Sequence, residues 1–313
     1  MAGGYFIGAG ENGVRLSSQD GVKWSPPTTG EGSGADKKGN QGVAGAFWAL
    51  ASKPGQIAVA VGPYGGAGWI RSHTEDGVNW SDIELLDGDD AGRLLDVCYG
   101  GDQFAAVGSE VPNYITCYYT TSKNGLEWKN VQSLHRKRDD KNAGGLIRVE
   151  YGNDTYVGIG RAGKLAWSAD GQKWSFSDKK QTLDQSLIEI CYGNGVFVGV
   201  GLHGLRMTSV DGREWSHIEK GQEGEHIGSI IVANGIFVGM APGATYFSED
   251  GREWKRIANN RAGAGAVKIA YGDGVFVGAQ YRGQLLTSRD ALTWTETDKI
   301  DQDILAIDYF AGS

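Results

Sequence analysis

The sequence predicts an all-β, seven-bladed β-propeller of four-stranded blades, and three observations carry that expectation. A turn phrase ending in tryptophan recurs as SSQDGVKW to Trp24, HTEDGVNW to Trp80, TSKNGLEW to Trp128, WSADGQKW to Trp174, TSVDGREW to Trp215, FSEDGREW to Trp254 and TSRDALTW to Trp294. The Trp-to-Trp spacings of 56, 48, 46, 41, 39 and 40 residues settle at the length of one blade. The 313 residues include 51 Gly and 10 Trp but 6 Pro, without a collagen period, which asks for many tight turns.

Each unit justifies its elements in order. LIEICYGNGVFVGVG (187–201), AVKIAYGDGVFVGAQ (266–280) and LIRVEYGNDTYVGIG (146–160) open with apolar alternation, the signature of a first strand. Asn-Gly or a related pair follows, the dipeptide best suited to a hairpin turn with positive φ. A second apolar alternation ends in Gly, then comes a hairpin of variable length, a third strand, the Asp-Gly turn and a fourth strand opening on Trp. No helical period is present. In TSVDGREW, Asp211 and Gly212 are expected as the two central residues of a type I′ turn, with Ser209 and the Asp211 carboxylate accepting free backbone N–H groups. The tryptophan is expected to wedge between neighbouring sheets. Blade three replaces the pair by Asn124-Gly125, and blade seven by Asp290-Ala291, where the turn is expected to change type because alanine is strained at positive φ.

The ends predict ring closure. ILAIDYFAG (304–312) reads as a first strand with no second strand after it, and GYFIGAGENG near the N-terminus begins with a second strand that lacks a first. Pairing them makes residues 1–313 a single propeller domain, with 304–313 completing the N-terminal blade and removing open sheet edges.

The turn phrase resembles the Asp-box, or bacterial neuraminidase, repeat S/T-x-D-x-G-x-x-W of sialidase-like, sortilin-like and photosystem-assembly-factor propellers. It departs by lacking the residue between Asp and Gly, and is closer to bacterial and phage repeats of the YGNGxFVGVG…TSxDGxxW kind. The resemblance covers essentially the whole chain and implies the fold; a propeller hosts many activities. A sialidase-like site needs three arginines and a Tyr/Glu pair, and the Arg-Ile-Pro phrase of those enzymes is absent.

Composition excludes several classes. Net charge is -8 with a pI near 5.2, which disfavours nucleic acid as a partner. No apolar run is long enough for a membrane span, and MAGGYFIGAGENG has no signal-peptide pattern, leaving the compartment open between cytoplasmic and trimmed secreted. Cys98, Cys117 and Cys191 lack metal or disulfide spacing and read as small buried hydrophobes. LDGDDAG (86–92) lacks the full EF-hand pattern, HRKRDDK (135–141) reads as a self-paired solvated loop, and no metal or cofactor is expected. The recurring aspartates point radially outward and cannot converge on one substrate.

Loop lengths point to the function. From the Gly ending strand two to the Trp is 14 residues in blade five, 18 in blade two and 20 in blade three. From Trp to the next first strand is 13 residues after Trp174, 23 after Trp24 and 18 after Trp128, and TTGEGSGADKKGNQG (28–42) lies in the longest of these. All major insertions therefore fall on one face, over blades one to four, and scaffold-held loops are where binding residues concentrate. That face offers Tyr64, Trp69, Arg71, Glu110, Asn113 and Tyr114, joined from other blades by Glu11, Asn12, Arg161, His203, Tyr281 and Arg282. First-strand positions add Asp96, Arg148, Glu189 and Lys268, then Glu150 and Asp308, expected as ion pairs around the axial channel, with Glu189 and Glu150 as the one carboxylate pair suited to glycosidic chemistry. The expected function is a monomeric, non-enzymatic binding scaffold for a glycan or a protein surface. A glycan-active hydrolase or lyase and an assembly factor docking a partner protein are the alternatives.

Overall fold

Near-continuous apolar runs such as VFVGVG (196–201), buried at every position but the first, give the second strands two apolar faces, so a sheet built around them must be covered on both sides by its neighbours. In the computed structural model, which describes residues 3–30, 45–64, 68–86, 93–109, 116–134, 145–177, 187–221 and 225–312, the segments form seven antiparallel sheets. Six have four strands in sequential order; in blade five these are Leu187–Gly193, Val196–Gly201, Arg206–Ser209 and Ser216–Glu219. Helical structure among the described residues is limited to four three-residue 3-10 turns, three of them joining second and third strands.

The seventh sheet joins the chain ends. Ile304–Phe310 pairs with Tyr5–Gly10 from Tyr5↔Phe310 to Gly10↔Ile304, and Tyr5–Gly10 pairs with Arg15–Ser18. This blade departs from the expected four strands, since its outer edge is a single bridge, Arg15↔Thr28, held by two backbone bonds of 2.9 Å. Pro26 and Pro27 precede that bridge and have no N–H to extend a ladder. The seven inner strands touch in sequence around an axis, from Ile304–Phe310 through Ala49–Lys53 and onward to Ala266–Gly272 and back.

Adjacent blades share cores. Val157, Ile159 and Leu165 of blade four pack with Leu187, Ile190, Phe197, Met207 and Trp215 of blade five. The Tyr-Gly pairs of the first strands mesh similarly: a Cβ on Gly152 would lie 2.1 Å from the ring of Tyr192 in the next blade. The Gly ending strand two has its own cause. A Cβ on Gly108 would sit 1.8 Å from the carbonyl oxygen of Arg93, where the incoming connection crosses the strand.

The Asp-Gly turn is structural, with a conformation different from the one expected. Gly212 takes φ +72°, but Asp211 does not take positive φ. Instead the Asp211 carboxylate accepts the N–H groups of Arg213 (2.9 Å) and Glu214 (3.0 Å), while Ser209 Oγ accepts that of Gly212 (2.8 Å). Side-chain acceptors close the loop, so a two-residue type I′ turn is unnecessary. Paired positive φ occurs at the other hairpin, as in Asn194 (+49°) and Gly195 (+80°). Asn124 makes the same two contacts at 3.0 and 2.8 Å. Blade seven does not change its turn: Ala291 sits at φ +57° and Asp290 caps Leu292 and Thr293 at 2.8 and 2.7 Å. The tryptophan then locks the loop, as Trp215 Nε1 donates to the Gly212 carbonyl at 3.2 Å.

Candidate functional site

Inner strands that converge on an axis bring side chains from all seven blades to one channel. A cavity of about 360 Å³ runs there, lined by Leu50, Asp96, Arg148, Glu150, Glu189, Ser229, Lys268 and Asp308 among others. Asp96, Arg148, Glu189 and Lys268 occupy equivalent registers, each directly after a β-bulge in its inner strand. A bulge re-aims the following side chain, and here it turns charged residues toward the axis.

The expected ion pairs form. Glu189 accepts Arg148 Nε at 3.1 Å and Lys268 Nζ at 2.6 Å. Lys268 belongs to blade seven and reaches past blade six, whose equivalent residue is the short Ser229. Burial would raise the Glu189 carboxyl, but the two cations outweigh it and hold it below the usual carboxylate range. Arg148 is desolvated yet pushed up by Glu189 and Asp96. Asp96 accepts the Val149 N–H at 2.7 Å, and burial pushes its carboxyl up to about 7 against the pull of Arg148. Glu150 is pushed up to about 8 by burial and neighbouring carboxylates, and burial also raises Asp308, which accepts Ser52 Oγ at 2.7 Å. No group of three or more metal-ligating side chains occurs among the described residues.

A second cavity of about 480 Å³ opens on the face of the long connections, where the first strands begin and the second strands end. It lies over blades five, six, seven and one, whereas the sequence placed the site over blades one to four. Ile188, Leu202, Met240, Pro242, Val267, Ile304 and Leu305 form apolar walls, Tyr281 and Asp303 stand at the rim, and Arg148 and Lys268 form its floor. Small residues hollow it: Gly228 begins blade six, and Ala264, Gly265 and Ala266 begin blade seven.

The residues expected to bind divide into three groups. Tyr64 and Trp69 are buried, Trp69 stacking edge-on against Trp128 with centroids 5.6 Å apart, and neither offers a platform to a ligand. Arg71 is also buried: it pairs with Glu84 and donates to the carbonyls of Gly125 and Leu126, tying blade two to the turn of blade three. Trp69 and Arg71 lie on a strand covered on both faces, where Ile70 and Ser72 are buried too, and Tyr64 is buried just beyond the preceding strand, which corrects their reading as exposed loop residues. Asn113 and Tyr114, with Glu110, lie outside the described residues, as do most of the 28–42 loop, 87–92 and 135–141. Arg161, His203, Tyr281 and Arg282 sit on the 3-10 turns and short loops of the open face; Tyr281 is 69% exposed. The backbone N–H of His203 donates to Nδ1 of His226 at 3.2 Å. Sequence reasoning missed Leu202, His226, Gly228, Met240 and Asp303. The run RAGAGAV (261–267), unusually small for the start of an inner strand, was the available signal.

No family model matches the chain, and no curated protein matches it in sequence. Solved structures share its architecture. It is similar to YCF48 bound to D1 peptide (TM-score 0.57, 17% identity, covering 80% of this chain and 81% of that one). It is also similar to YCF48 from Cyanidioschyzon merolae (0.58, 14%, 85% and 88%) and to selenomethionine-substituted virginiamycin B lyase from Staphylococcus aureus (0.60, 9%, 81% and 85%). At these identities the likeness shows the fold alone.

Proposed function

We infer that this propeller is a binding scaffold whose partner is a protein, docked on the face of the long connections at the mouth of the axial channel. The observation that carries the reading is the apolar cavity over blades five to seven and one, opening beside the exposed Tyr281. Concave apolar sites with a few convergent polar groups are the usual seats of recognition, and exposed aromatics are the usual anchors of protein interfaces. Burial of Tyr64 and Trp69 weighs against a glycan, because a sugar face needs an accessible aromatic platform. The neighbour solved with a bound peptide supports the same direction by analogy of fold. The turn phrase supports kinship with Asp-box-type propellers, with one residue deleted from the loop.

A photo-crosslinking amino acid at Tyr281, compared with one at Val210 on the opposite face, tests this reading. Covalent capture of protein at position 281 and not at 210 is expected. Capture equal at both positions, or a glycan array bound with no protein captured, would overturn it. An enzymatic reading has one observation in its favour, since Glu150 is pushed up to about 8 while Glu189 is held down, a separation suited to an acid and its partner carboxylate. Oligosaccharide turnover abolished by Glu150→Gln would establish that reading.

A further inference from the structure

The two axial cavities share Arg148 and Lys268 in their linings and no other charged residue. Asp96, Glu150, Glu189 and Asp308 line the channel alone, so the cations face the apolar pocket while their counter-anions stay on the channel side. Glu189 uses one proton of the Lys268 ammonium and the Nε–H of Arg148, and the Ile147 carbonyl takes Nη1 of Arg148 at 2.7 Å. An ammonium has three donors and a guanidinium five. Two protons of Lys268 and Nη2 of Arg148 therefore have no partner among the described residues. The remaining charge of the pocket, Asp303, accepts the backbone N–H of Arg282 at the rim, where it opposes a second negative charge on a ligand. Walls of Ile188, Leu202, Met240, Val267 and Leu305 between that rim and the cationic floor require an apolar body of matching length. The volume, about 480 Å³, falls within the ~300–1,000 Å³ of ligand pockets.

We propose that this pocket receives an apolar group ending in a single carboxylate, with the carboxylate against Lys268 and Arg148 and the apolar body against Met240, Leu202 and Val267. Two sources share that chemistry: a free amphipathic carboxylate, and the C-terminal residue of a peptide. The inference rests on reading this face as the binding face, and it names what the pocket itself selects. Inorganic anions lack the apolar body, cations meet two positive charges at the floor, and sugars find walls that are mostly aliphatic, with His226, Gln280 and Tyr281 as the uncharged polar side chains.

Calorimetric titration of the full chain with octanoate, 1-octanol, and a Leu-terminated tetrapeptide in free-acid and amidated forms tests the proposal. At least one carboxylate is expected to bind about ten-fold more tightly than its neutral counterpart, and that preference should shrink in high salt. Lys268→Met should reduce the preference to within about two-fold, while Lys268→Arg should keep most of it. Gly228→Phe supplies a control that leaves the charges alone: no atom lies within 4 Å of a Cβ there, so the ring enters the cavity without a clash at its root. It should abolish binding of every probe while leaving the thermal midpoint within about 2 K. Octanoate binding without the free-acid peptide assigns the small molecule as source; tighter binding of the peptide assigns the chain terminus. No binding by either carboxylate, equal binding of neutral and charged forms, or an undiminished preference in Lys268→Met would overturn the proposal. Octanoate binding with no protein captured at Tyr281 would remove the docking reading and leave the pocket's ligand class intact; capture without carboxylate binding would do the reverse.

Discussion

Gly212→Ala isolates the two demands that the repeated turn places on its glycine. The residue sits at φ +72°, where a Cβ costs about 1–2 kcal/mol. That Cβ would also lie 2.2 Å from Cγ2 of Val157 in the preceding blade, a core residue with no exposure. Relief of such a contact by local shifts costs typically ~1–3 kcal/mol. Together they predict a loss of about 2–5 kcal/mol. Unfolding entropy near 2.1 cal/mol/K per residue, or about 0.7 kcal/mol/K for 313 residues, makes that a fall of about 3–7 K in Tm. Blade seven shows that the strain alone is survivable, because Ala291 holds φ +57° with its methyl packed among Val238, Phe276 and Leu286. The decisive measurement is a double-mutant cycle by urea denaturation. In a Val157→Ala background the clash is gone and Gly212→Ala should cost only its backbone share, about 1–2 kcal/mol, a coupling of about 1–3 kcal/mol between the two sites. Identical costs in both backgrounds would refute the packing half of the argument.

Two further tests separate structural from chemical acids. Asp211→Asn should change stability by less than about 0.5 kcal/mol because Asn124 already caps blade three, whereas Asp211→Ala should cost about 1 kcal/mol; equal losses by chemical denaturation would show that charge, not hydrogen bonding, holds the loop. The channel carboxyls set a pH dependence of opposite sign to the turn acids. Asp96 and Glu150, pushed up to about 7 and about 8, bind more protons folded than unfolded, so their contribution is fully present below pH ~4 and lost as pH rises toward 8. Asp76, held at about 2 by the N–H groups of Val78 and Asn79, the Asn79 amide and Thr74 against the effect of burial, contributes stability above pH ~4 that is lost as pH falls toward 2. Melting curves from pH 5 to 8 should decline less steeply in an Asp96→Asn, Glu150→Gln variant than in the parent; an unchanged slope would contradict the assignment.

The blade count, the strand order and the closure of Ile304–Phe310 onto Tyr5–Gly10 were legible because each rests on a local pattern repeated seven times. Register errors would put apolar side chains into the wrong inter-blade space, so the repeat leaves little freedom. The turn conformation was half legible: Ser209 and Asp211 act as expected acceptors, but which residues take positive φ depends on how far the carboxylate reaches, and composition does not reveal that. Tyr64, Trp69 and Arg71 were misplaced for a related reason. A longer connection suggests exposure, yet the strand Trp69–Thr74 extends into it and is covered on both faces, so Trp69, Ile70, Arg71 and Ser72 are all buried. The charged axial residues were found because four blades put ionisable groups where apolar ones would serve as well. The pocket was not found, because it is made by side chains that are missing.

That last point explains why the repeat and the candidate site occupy different places. In blade five the groups that build the repeat are already committed: Asp211 and Ser209 to the turn, the Trp215 indole to the Gly212 carbonyl, the Tyr192 ring to the space above Gly152. A ligand arriving there would have to break the scaffold to be recognised. Unused charged donors beside open volume are found where one blade departs from the pattern of the others. Blade six supplies Ser229 where its neighbours carry ionisable residues, which lets Lys268 cross to Glu189 and brings it beside Arg148 beneath blades five to seven. The same stretch of ring begins its strands with Gly228, Ala264 and Gly265, leaving empty the space directly above those cations. A serine and a few small residues, each inconspicuous alone, thus place a hollow over a charge at one point of an otherwise regular ring.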